Sequence, residues 1–419
     1  MKNPSRGAKP ALDRGEEQET VLEGRSLANA MKMKGLPVDL YAYEAPEVMT
    51  NRHFQAYEMP EFERVYLPES MRPFTDLSPL SKHGFILDDN RGAVSPTPYM
   101  RLDGTDFFLS IKGIGSTTNP FSRQLLGRAE ICGLLKDPRL KDRIMSSAET
   151  APRYITAELW QRYSPYGGQG LEHATYSMRA SEMDDITSIH GFRFAPLVKI
   201  VFLPIDLEKE IKKLYWYRRF EGRIVQETRL IPSNVRVYFH SGITVGGTIT
   251  SVFDLFEIDS NDKALDFLRN FVKSGMAFLT LFARSMKGNE DGTFSGLDFY
   301  DVWLDKDAVI APDGTVYFVD LEGLDWITIG KKEVREKIYS QIYRSLYEFM
   351  YAYEQIERER SSRFGVMTDR KVQFEYLLRE ALKDDEVITM ERDGDSLMVN
   401  VGNILGEQGL IGRFPVLNW

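Results

Sequence analysis

The order of apolar and polar residues changes character along the chain, and its second half has the spacing of helices. Between residues 262 and 285 the apolar positions are Leu265, Leu268, Phe271, Val272, Met276, Leu279 and Phe282. An apolar face of this width predicts a long buried helix. Charged helical patterns follow over 331–362 and 369–385, so we expect this half to be mainly helical.

The first half instead carries runs that are typical of strands. A short strand over 107–112 enters a glycine-rich turn, and further strands are predicted over 152–160, 192–204 and 233–247. The run over 192–204 is almost continuously apolar, as in a central strand. Helical spacing over 123–137 predicts one early helix. The charged segment over 205–223 predicts a connecting helix.

The amino-terminal region is more polar and more irregular. Residues 1–20 are predicted to be a disordered tail without the apolar core of a signal peptide. Residues 21–100 combine a predicted helix over 21–35 with a segment interrupted by prolines, which favours an extended arm. The glycine-rich stretch over 164–177 predicts a surface loop.

Composition narrows the range of functions. The net charge of −9 over 419 residues argues against nucleic acid or an anionic membrane as the main partner. A single cysteine, Cys132, excludes an internal disulfide, and the five histidines lack the spacing of zinc ligands. No apolar run reaches the roughly 18 residues of a membrane-spanning helix. We therefore expect a cytoplasmic globular protein without membrane insertion.

The first candidate chemistry is at the end of the strand over 107–112. Lys112 is followed by a glycine-rich turn, which lets backbone amides approach phosphate oxygens. Gly113, Gly115, Ser116 and Arg123 suit the same phosphate cradle. The segment is not a Walker A motif, because no Gly-Lys-Ser/Thr follows. The alternative is an ordinary strand end with a polar turn.

The second is an acidic hairpin over 296–323. Asp298, Asp301, Asp305 and Asp307 precede a short strand, a Pro-Asp-Gly turn follows, and the next strand ends at Asp320 with Glu322 two residues later. Hairpin pairing would bring the loop acids towards Asp320. Clustered carboxylates without histidine or cysteine favour Mg²⁺ or Mn²⁺. The alternative is a surface hairpin whose acids are solvated.

At these residues the chain resembles the protein-kinase-like superfamily, in which a catalytic loop precedes a hairpin and a metal-binding aspartate. The resemblance implies a bilobal α+β fold, with a β-rich N-lobe over 101–250, a helical C-lobe over 251–419 and an amino-terminal extension. It also implies a nucleotide partner, ATP with Mg²⁺ or Mn²⁺. The implied site residues are Lys112 on the phosphates, Glu130 (or Asp137) orienting it, Asp320 and Asp307 as metal ligands, and Asp301 (rather than Asp298) as the base at the acceptor hydroxyl.

A local segment is similar to the selenoprotein-O-like adenylyltransferases, which transfer AMP. The matching residues are Lys112, Gly113, Gly115, Ser122, Arg123, Gly127, Arg128 and Ala129. That family's Asn-Thr-Asp-Asn loop and Asp-Tyr-Gly motif are not reproduced, and the His-Arg-Asp of protein kinases is missing. An aspartate, Asp307, stands where the kinase-like pattern has an Asn ligand.

Three hypotheses follow. The first is an atypical kinase-like transferase that moves a phosphoryl or adenylyl group from Mg-ATP to an acceptor, such as a protein, that the sequence does not identify. The second is a catalytically inactive pseudokinase-like scaffold or regulatory binding protein. The third is an unrelated α+β protein, in which Lys112 and Asp320 lie far apart.

Overall fold

The computed structural model describes most of the chain in separate ranges. These are residues 21–23, 32–34, 37–68, 77–88, 92–102, 104–114, 169–182, 193–212, 222–238, 242–245, 248–249, 251–299, 307–319, 324–367, 369–383, 388–394, 396–401 and 412–418. The fold combines helices with mainly antiparallel sheets and is therefore α+β, as predicted.

The described elements are as follows. The strands are β1 (Val21–Glu23), β2 (Lys32–Lys34), β3 (Pro37–Glu44), β4 (Val48–Thr50), β5 (Arg64–Pro68), β6 (Ser81–Asp88), β7 (Gly92–Leu102), β8 (Thr105–Lys112), β9 (Gln169–Gly170), β10 (Arg193–Phe194), β11 (Leu197–Phe202), β12 (Ile224–Ile231), β13 (Val235–Tyr238), β14 (Gly242–Val245), β15 (Thr248–Ile249), β16 (Lys287–Gly288), β17 (Thr293–Phe299), β18 (Ala308–Ile310), β19 (Val316–Phe318), β20 (Leu324–Gly330), β21 (Ile388–Asp393), β22 (Ser396–Val401) and β23 (Gly412–Asn418). The helices are α1 (Leu171–Ser181), α2 (Ile205–Lys212), α3 (Val252–Leu255), α4 (Asn261–Ser285), α5 (Lys331–Phe364) and α6 (Arg370–Leu382).

A nine-stranded antiparallel sheet dominates the first half, in the order β4-β11-β12-β8-β7-β6-β3-β5, with β9 also paired to β12. The segment predicted as an extended arm therefore supplies β3 to β7 of this sheet, and that interpretation is wrong. Pro37 begins β3 and Pro68 ends β5, so these prolines mark strand ends rather than a chain outside the sheet. The helix predicted over 21–35 is also wrong where the chain is described, because β1 pairs with β2 there.

Helix α1 covers one face of the large sheet. Ala174 and Met178 pack against Ile200, Phe202 and Val225 of β11 and β12. The loop predicted over 164–177 is thus partly a helix, because its second half supplies apolar residues at helical spacing to this contact.

A second sheet has the order β10-β19-β18-β13-β14-β15. The predicted hairpin of β18 and β19 is confirmed and lies in its middle, and α4 confirms the predicted long helix. Buried residues of both sheets and of α4, α5 and α6 form one continuous apolar core. The rings of Phe107 in β8 and Tyr317 in β19 meet edge to face at 5.8 Å between centroids, which joins the two sheets.

The chain passes between the two sheets at neighbouring points. The first passage runs from β10 to β11 and the second from β12 to β13. The amide of Leu230, near the end of β12, donates to the carbonyl of Pro196 in the first passage over 3.0 Å, so the first passage is hydrogen-bonded to the strand that leads into the second. The Ser233 hydroxyl then donates to the carbonyl of Ile310 in β18.

The carboxy-terminal half is less helical than predicted. Helices α4, α5 and α6 are present as expected, but two three-stranded sheets accompany them, in the orders β16-β17-β20 and β21-β22-β23. The second strand of the first sheet begins at Thr293 in a turn whose Asp291 accepts from the Thr293 amide and hydroxyl. A short turn of this kind lets neighbouring strands pair, and a search for helical spacing in the sequence does not detect such strands.

At the edge of the large sheet, the side chain of Gln226 makes the hydrogen bonds to β5 that a neighbouring strand would otherwise make. Its oxygen accepts from the Tyr66 amide over 2.9 Å, and its Nε2 donates to the Tyr66 carbonyl over 2.7 Å. The same Nε2 lies 3.2 Å from the carbonyl of Gly113. Because β5 and β12 are far apart in the strand order, this amide shows that the sheet curls back on itself.

The hairpin of β18 and β19 is fastened to α4 by Ser274. Its hydroxyl accepts from the Val316 amide over 2.9 Å and donates to the Asn270 carbonyl over 2.7 Å. We expect Ser274→Ala to lower the free energy of unfolding by about 1–3 kcal/mol, because the buried Val316 amide loses its acceptor. Urea denaturation measures the change.

A matched control is Ser295→Ala in β17, whose hydroxyl bonds at an exposed site to Thr328. We expect it to change the free energy of unfolding by less than about 0.5 kcal/mol. Equal effects of the two substitutions would contradict the role assigned to Ser274.

Candidate active site

Lys112 lies at the last position of β8, half-buried. In the antiparallel pairing of β8 with β12, its Cα partner is Glu227. Residues directly opposite in such a pair project from the same face, with Cβ atoms about 5 Å apart. Arg229, two residues further along β12, lies on that face as well. The lysine that the sequence singled out therefore faces a carboxylate and a guanidinium across the strand pair.

Glu227 is fully buried and satisfied by two side chains. Gln169 of β9 donates Nε2 to one carboxylate oxygen over 2.6 Å, and Arg229 donates Nε to the other over 2.8 Å. Arg229 is itself almost wholly buried and also reaches the Ser177 hydroxyl of α1 over 3.3 Å. A buried ion pair with further hydrogen bonds of this kind holds its members in one arrangement.

Helix α1 is held over this cluster at its middle and at its carboxyl end. Buried His173 lies in its first turn, and Ser177 contacts Arg229 from the middle of the helix. At its carboxyl end, the carboxylate of Glu182 accepts from the Arg52 amide over 2.8 Å. The position of α1 is thus tied to both Arg229 and the segment that follows β4.

The chain turns sharply directly after Lys112. Gly113 has φ of 101°, a left-handed conformation that glycine adopts without strain, and its carbonyl is bound by Gln226. The predicted phosphate-binding turn thus begins with a conformation that suits close approach of the backbone. Gly115, Ser116 and Arg123, which complete the predicted cradle, lie outside the described residues.

Asp307 lies at the entrance of the acidic hairpin and is only 3% exposed. Its carbonyl accepts from the Val319 amide over 2.9 Å, so the pairing of β18 and β19 continues to this level. Asp320 follows Val319 in the chain and lies outside the described residues. The described part of the hairpin thus begins at Asp307, one of the two predicted metal ligands, and stops one residue before the other.

The turn of the hairpin is clamped onto α4. The Asn270 side chain donates to the Asp313 carbonyl over 2.9 Å. Gly314 has φ of 94°, and a Cβ added there would lie 2.1 Å from the carbonyl oxygen of Phe267. Phe267, Asn270 and Ser274 recur at helical spacing, so one stripe of α4 receives the hairpin.

Lys112 and Gly113 lie at the end of β8 in the large sheet, whereas Asp307 lies directly before β18 of the second sheet. The remaining predicted residues, Glu130, Asp301 and Asp320 with the alternative Asp137, lie outside the described residues. Across the described ranges, no three histidine, cysteine, aspartate or glutamate side chains gather in a way that could hold a metal ion. The predicted Mg²⁺ or Mn²⁺ site therefore stays a prediction.

Sequence reasoning missed Glu227 and Gln169, and it considered Arg229 only as a phosphate contact or as a salt-bridging residue at a sheet edge. The available signal was the run Gln226-Glu227-Thr228-Arg229 between two apolar dipeptides of β12. Charged residues two apart in an otherwise apolar strand share one face, and they are almost never fully buried unless paired. That pattern points to a buried ion pair, although it does not identify the lysine opposite.

No protein-family model, curated protein or solved structure matches this chain. None of the helices in the described part of the chain is both long enough and apolar enough to cross a membrane.

Proposed function

We propose that this protein is an atypical kinase-like transferase that uses Mg-ATP to move a phosphoryl or adenylyl group to an acceptor. The observation that carries the proposal is the arrangement of Lys112. It ends a sheet strand, faces buried Glu227, and is followed by a left-handed glycine. Phosphate-binding lysines of kinases lie on a sheet strand beside a carboxylate that orients them.

The order of elements supports the same proposal. The lysine strand β8 is followed by α1 on the sheet face, strands β11 and β12, a passage to the second sheet, the long apolar α4, and the hairpin before Asp320. Kinase-like sites need a strand lysine and a metal-binding aspartate delivered from opposite sides of the nucleotide. The contact of Phe107 with Tyr317 joins the start of β8 to the second sheet, and Lys112 lies at the other end of the same strand.

The chemistry of the donors fits the proposed cofactor. Asp307 is a buried carboxylate at the hairpin entrance and would hold Mg²⁺ together with Asp320. When bound, the ion neutralises charge on the nucleotide phosphates. Lys112 would bind phosphate oxygens, with Glu227 as a positioning residue held by Arg229 and Gln169. Asp301 would orient the acceptor hydroxyl. The segment that begins at Lys112 favours AMP transfer over phosphoryl transfer, and it does so only through its resemblance to the selenoprotein-O-like adenylyltransferases.

The first test is stabilisation by ATP. With ATP and Mg²⁺ at about 100 times the dissociation constant, the wild type should gain about 2.7 kcal/mol in free energy of unfolding. Lys112→Met should weaken ATP binding about tenfold, because a charge-assisted contact with phosphate is lost. Asp320→Ala should remove the Mg²⁺-dependent part of the gain. Thermal unfolding with and without Mg²⁺ measures all three.

The matched control is Lys209→Met in α2, an exposed lysine that pairs with Asp206. It should leave ATP stabilisation unchanged. A wild type that ATP does not stabilise would contradict the proposal. Incubation with α- and γ-labelled ATP separates the two transfers: label retained from the α position indicates adenylylation and from the γ position phosphorylation. Stabilisation without transfer of either label would favour the inactive scaffold.

A further inference from the structure

A small cavity lies at the outer part of the large sheet, where β6 and β7 separate. Its volume is about 210 Å³, and its walls include Glu61, His83, Phe85, Pro96, Pro98 and Tyr99. The pairing of β6 with β7 covers Ile86 to Asp88 and reaches no further than Val94 on β7. Beyond that level the two strands diverge, and the cavity occupies the space between them.

The separation is built into the sequence of β7. Pro96 and Pro98 have no amide hydrogen to donate to a neighbouring strand. The register of β7 against β8 shifts between Val94 and Pro98. The Ser95 hydroxyl spans the irregularity, since it accepts from the Leu109 amide over 3.0 Å and donates to the Thr97 carbonyl over 2.8 Å. The cavity is therefore a stabilised feature of the sheet rather than a packing defect.

A carboxylate lies in the cavity wall with part of its surface accessible. One oxygen of Glu61 accepts from Arg64 over 2.7 Å, and the other accepts from the buried Tyr66 hydroxyl over 2.6 Å. The Glu61 side chain keeps 28% of its surface exposed. These two hydrogen bonds hold the Glu61 carboxylate in place, and the exposed part of its side chain is accessible to a ligand.

His83 of the cavity wall contacts both Ser81 and Glu61, but the three residues do not form a nucleophilic triad. The Ser81 hydroxyl lies 2.6 Å from Nε2 of His83, and the Glu61 carboxylate lies 3.9 Å from the same nitrogen. A triad needs the acid on the other ring nitrogen, so that the first can take the serine proton. This arrangement therefore indicates binding rather than acyl transfer.

The influence of Glu61 outweighs that of Arg64 at the two phenols beside the cavity. Burial, followed by the influence of Glu61, raises the pKa of the Tyr66 and Tyr99 phenols. In both cases the opposing influence of Arg64 is smaller than that of Glu61. The Glu61 carboxylate therefore keeps an influence on neighbouring groups that its ion pair with Arg64 does not cancel.

We propose that this cavity binds an organic monocation, an alkylguanidinium or alkylammonium group, between the Glu61 carboxylate and the partly exposed rings of Tyr99 and His83. Aromatic faces attract cations, and a carboxylate provides the acceptor for their N–H groups. At about 30 Å³ per liquid water, the cavity holds the volume of several waters, which matches a basic side chain more closely than a nucleotide. The site is separate from Lys112 and does not depend on the proposed transferase function.

The test compares N-acetyl-arginine methylamide with its neutral isostere N-acetyl-citrulline methylamide. Binding is followed by the ring resonances of ¹³C-labelled tyrosine at pH 8, with Tyr99 assigned through Tyr99→Phe. The arginine derivative should bind with a dissociation constant of about 1 mM, and the citrulline derivative at least about tenfold more weakly. Butylguanidinium, tested alongside, separates the two sources of such a group. Equal affinity indicates a free small guanidinium, and tighter binding of the arginine derivative indicates a polypeptide side chain.

Glu61→Gln should weaken the arginine derivative about tenfold while keeping the shape of the side chain. The control Glu58→Gln removes the same charge from an exposed position three residues earlier, and should leave binding unchanged. Equal binding of the arginine and citrulline derivatives, or no movement of the Tyr99 resonances, would overturn the proposal. That comparison uses the wild type, so it decides the question even if Glu61→Gln fails to fold.

Discussion

Glu227→Gln is expected to lower the free energy of unfolding by about 3–5 kcal/mol, because it removes the negative partner of a buried guanidinium. Arg229 is 3% and Glu227 0% exposed at the side chain, so water cannot replace the lost charge. The substitution keeps the size of the side chain, and therefore isolates charge from packing. Urea denaturation followed by tryptophan fluorescence measures the loss.

A double variant distinguishes the charge from the shape of the site. Replacing both partners, as Glu227→Gln with Arg229→Met, should recover part of the lost stability, since the double variant no longer buries an unpaired guanidinium. The double variant should still bind ATP more weakly than wild type, because Lys112 then faces an uncharged strand. Losses that simply add would contradict the interpretation of Glu227 and Arg229 as one unit.

Gly314→Ala is expected to cost about 3–5 kcal/mol, the sum of left-handed strain and a steric clash. The added methyl group would lie 2.1 Å from the carbonyl oxygen of Phe267, which belongs to α4 and cannot rotate away. The hairpin must then move off the helix, and Asp307 moves with it. We therefore expect Mg²⁺-dependent stabilisation by ATP to fall together with the free energy of unfolding.

Gly292→Ala is the matched control for this effect. Gly292 also has a positive φ, of 80°, but an added Cβ would meet nothing within 4 Å. Its substitution should cost only the backbone strain, about 1–2 kcal/mol. If Gly314→Ala is no worse than Gly292→Ala, the close approach of the hairpin to α4 is not what holds it in place.

Helices were predictable where one apolar face runs for many turns. Residues 262–285 specify α4 because Phe271 and Val272 lie on a stripe that only a helix of period 3.6 presents to a core. The strands β3 to β7 were not, because their partners are distant in sequence and prolines within them imitate a linker. Pro96 and Pro98 lie inside β7, at a bulge that only the pairing with β8 reveals.

Individual residues of the candidate site could be predicted from the sequence, but the contacts between them could not. Lys112 before glycines and Asp307 before a short strand are local patterns, and the structure places both at element ends. The partner of Lys112 depends on strand register, because a shift of one residue would turn Glu227 to the other face. Register is set by long-range pairing of β8 with β12, which no local pattern contains.

The amide of Gln226 also affects how the edge of the large sheet can pair with a strand of another molecule. A strand at the edge of a sheet offers open amide and carbonyl groups to any passing strand, and β5 is the edge of the nine-stranded sheet. By binding both backbone groups of Tyr66, Gln226 occupies the rung where a foreign strand would begin to pair. One side chain thus occupies the backbone hydrogen-bonding groups that a foreign strand would need at this point of the sheet edge.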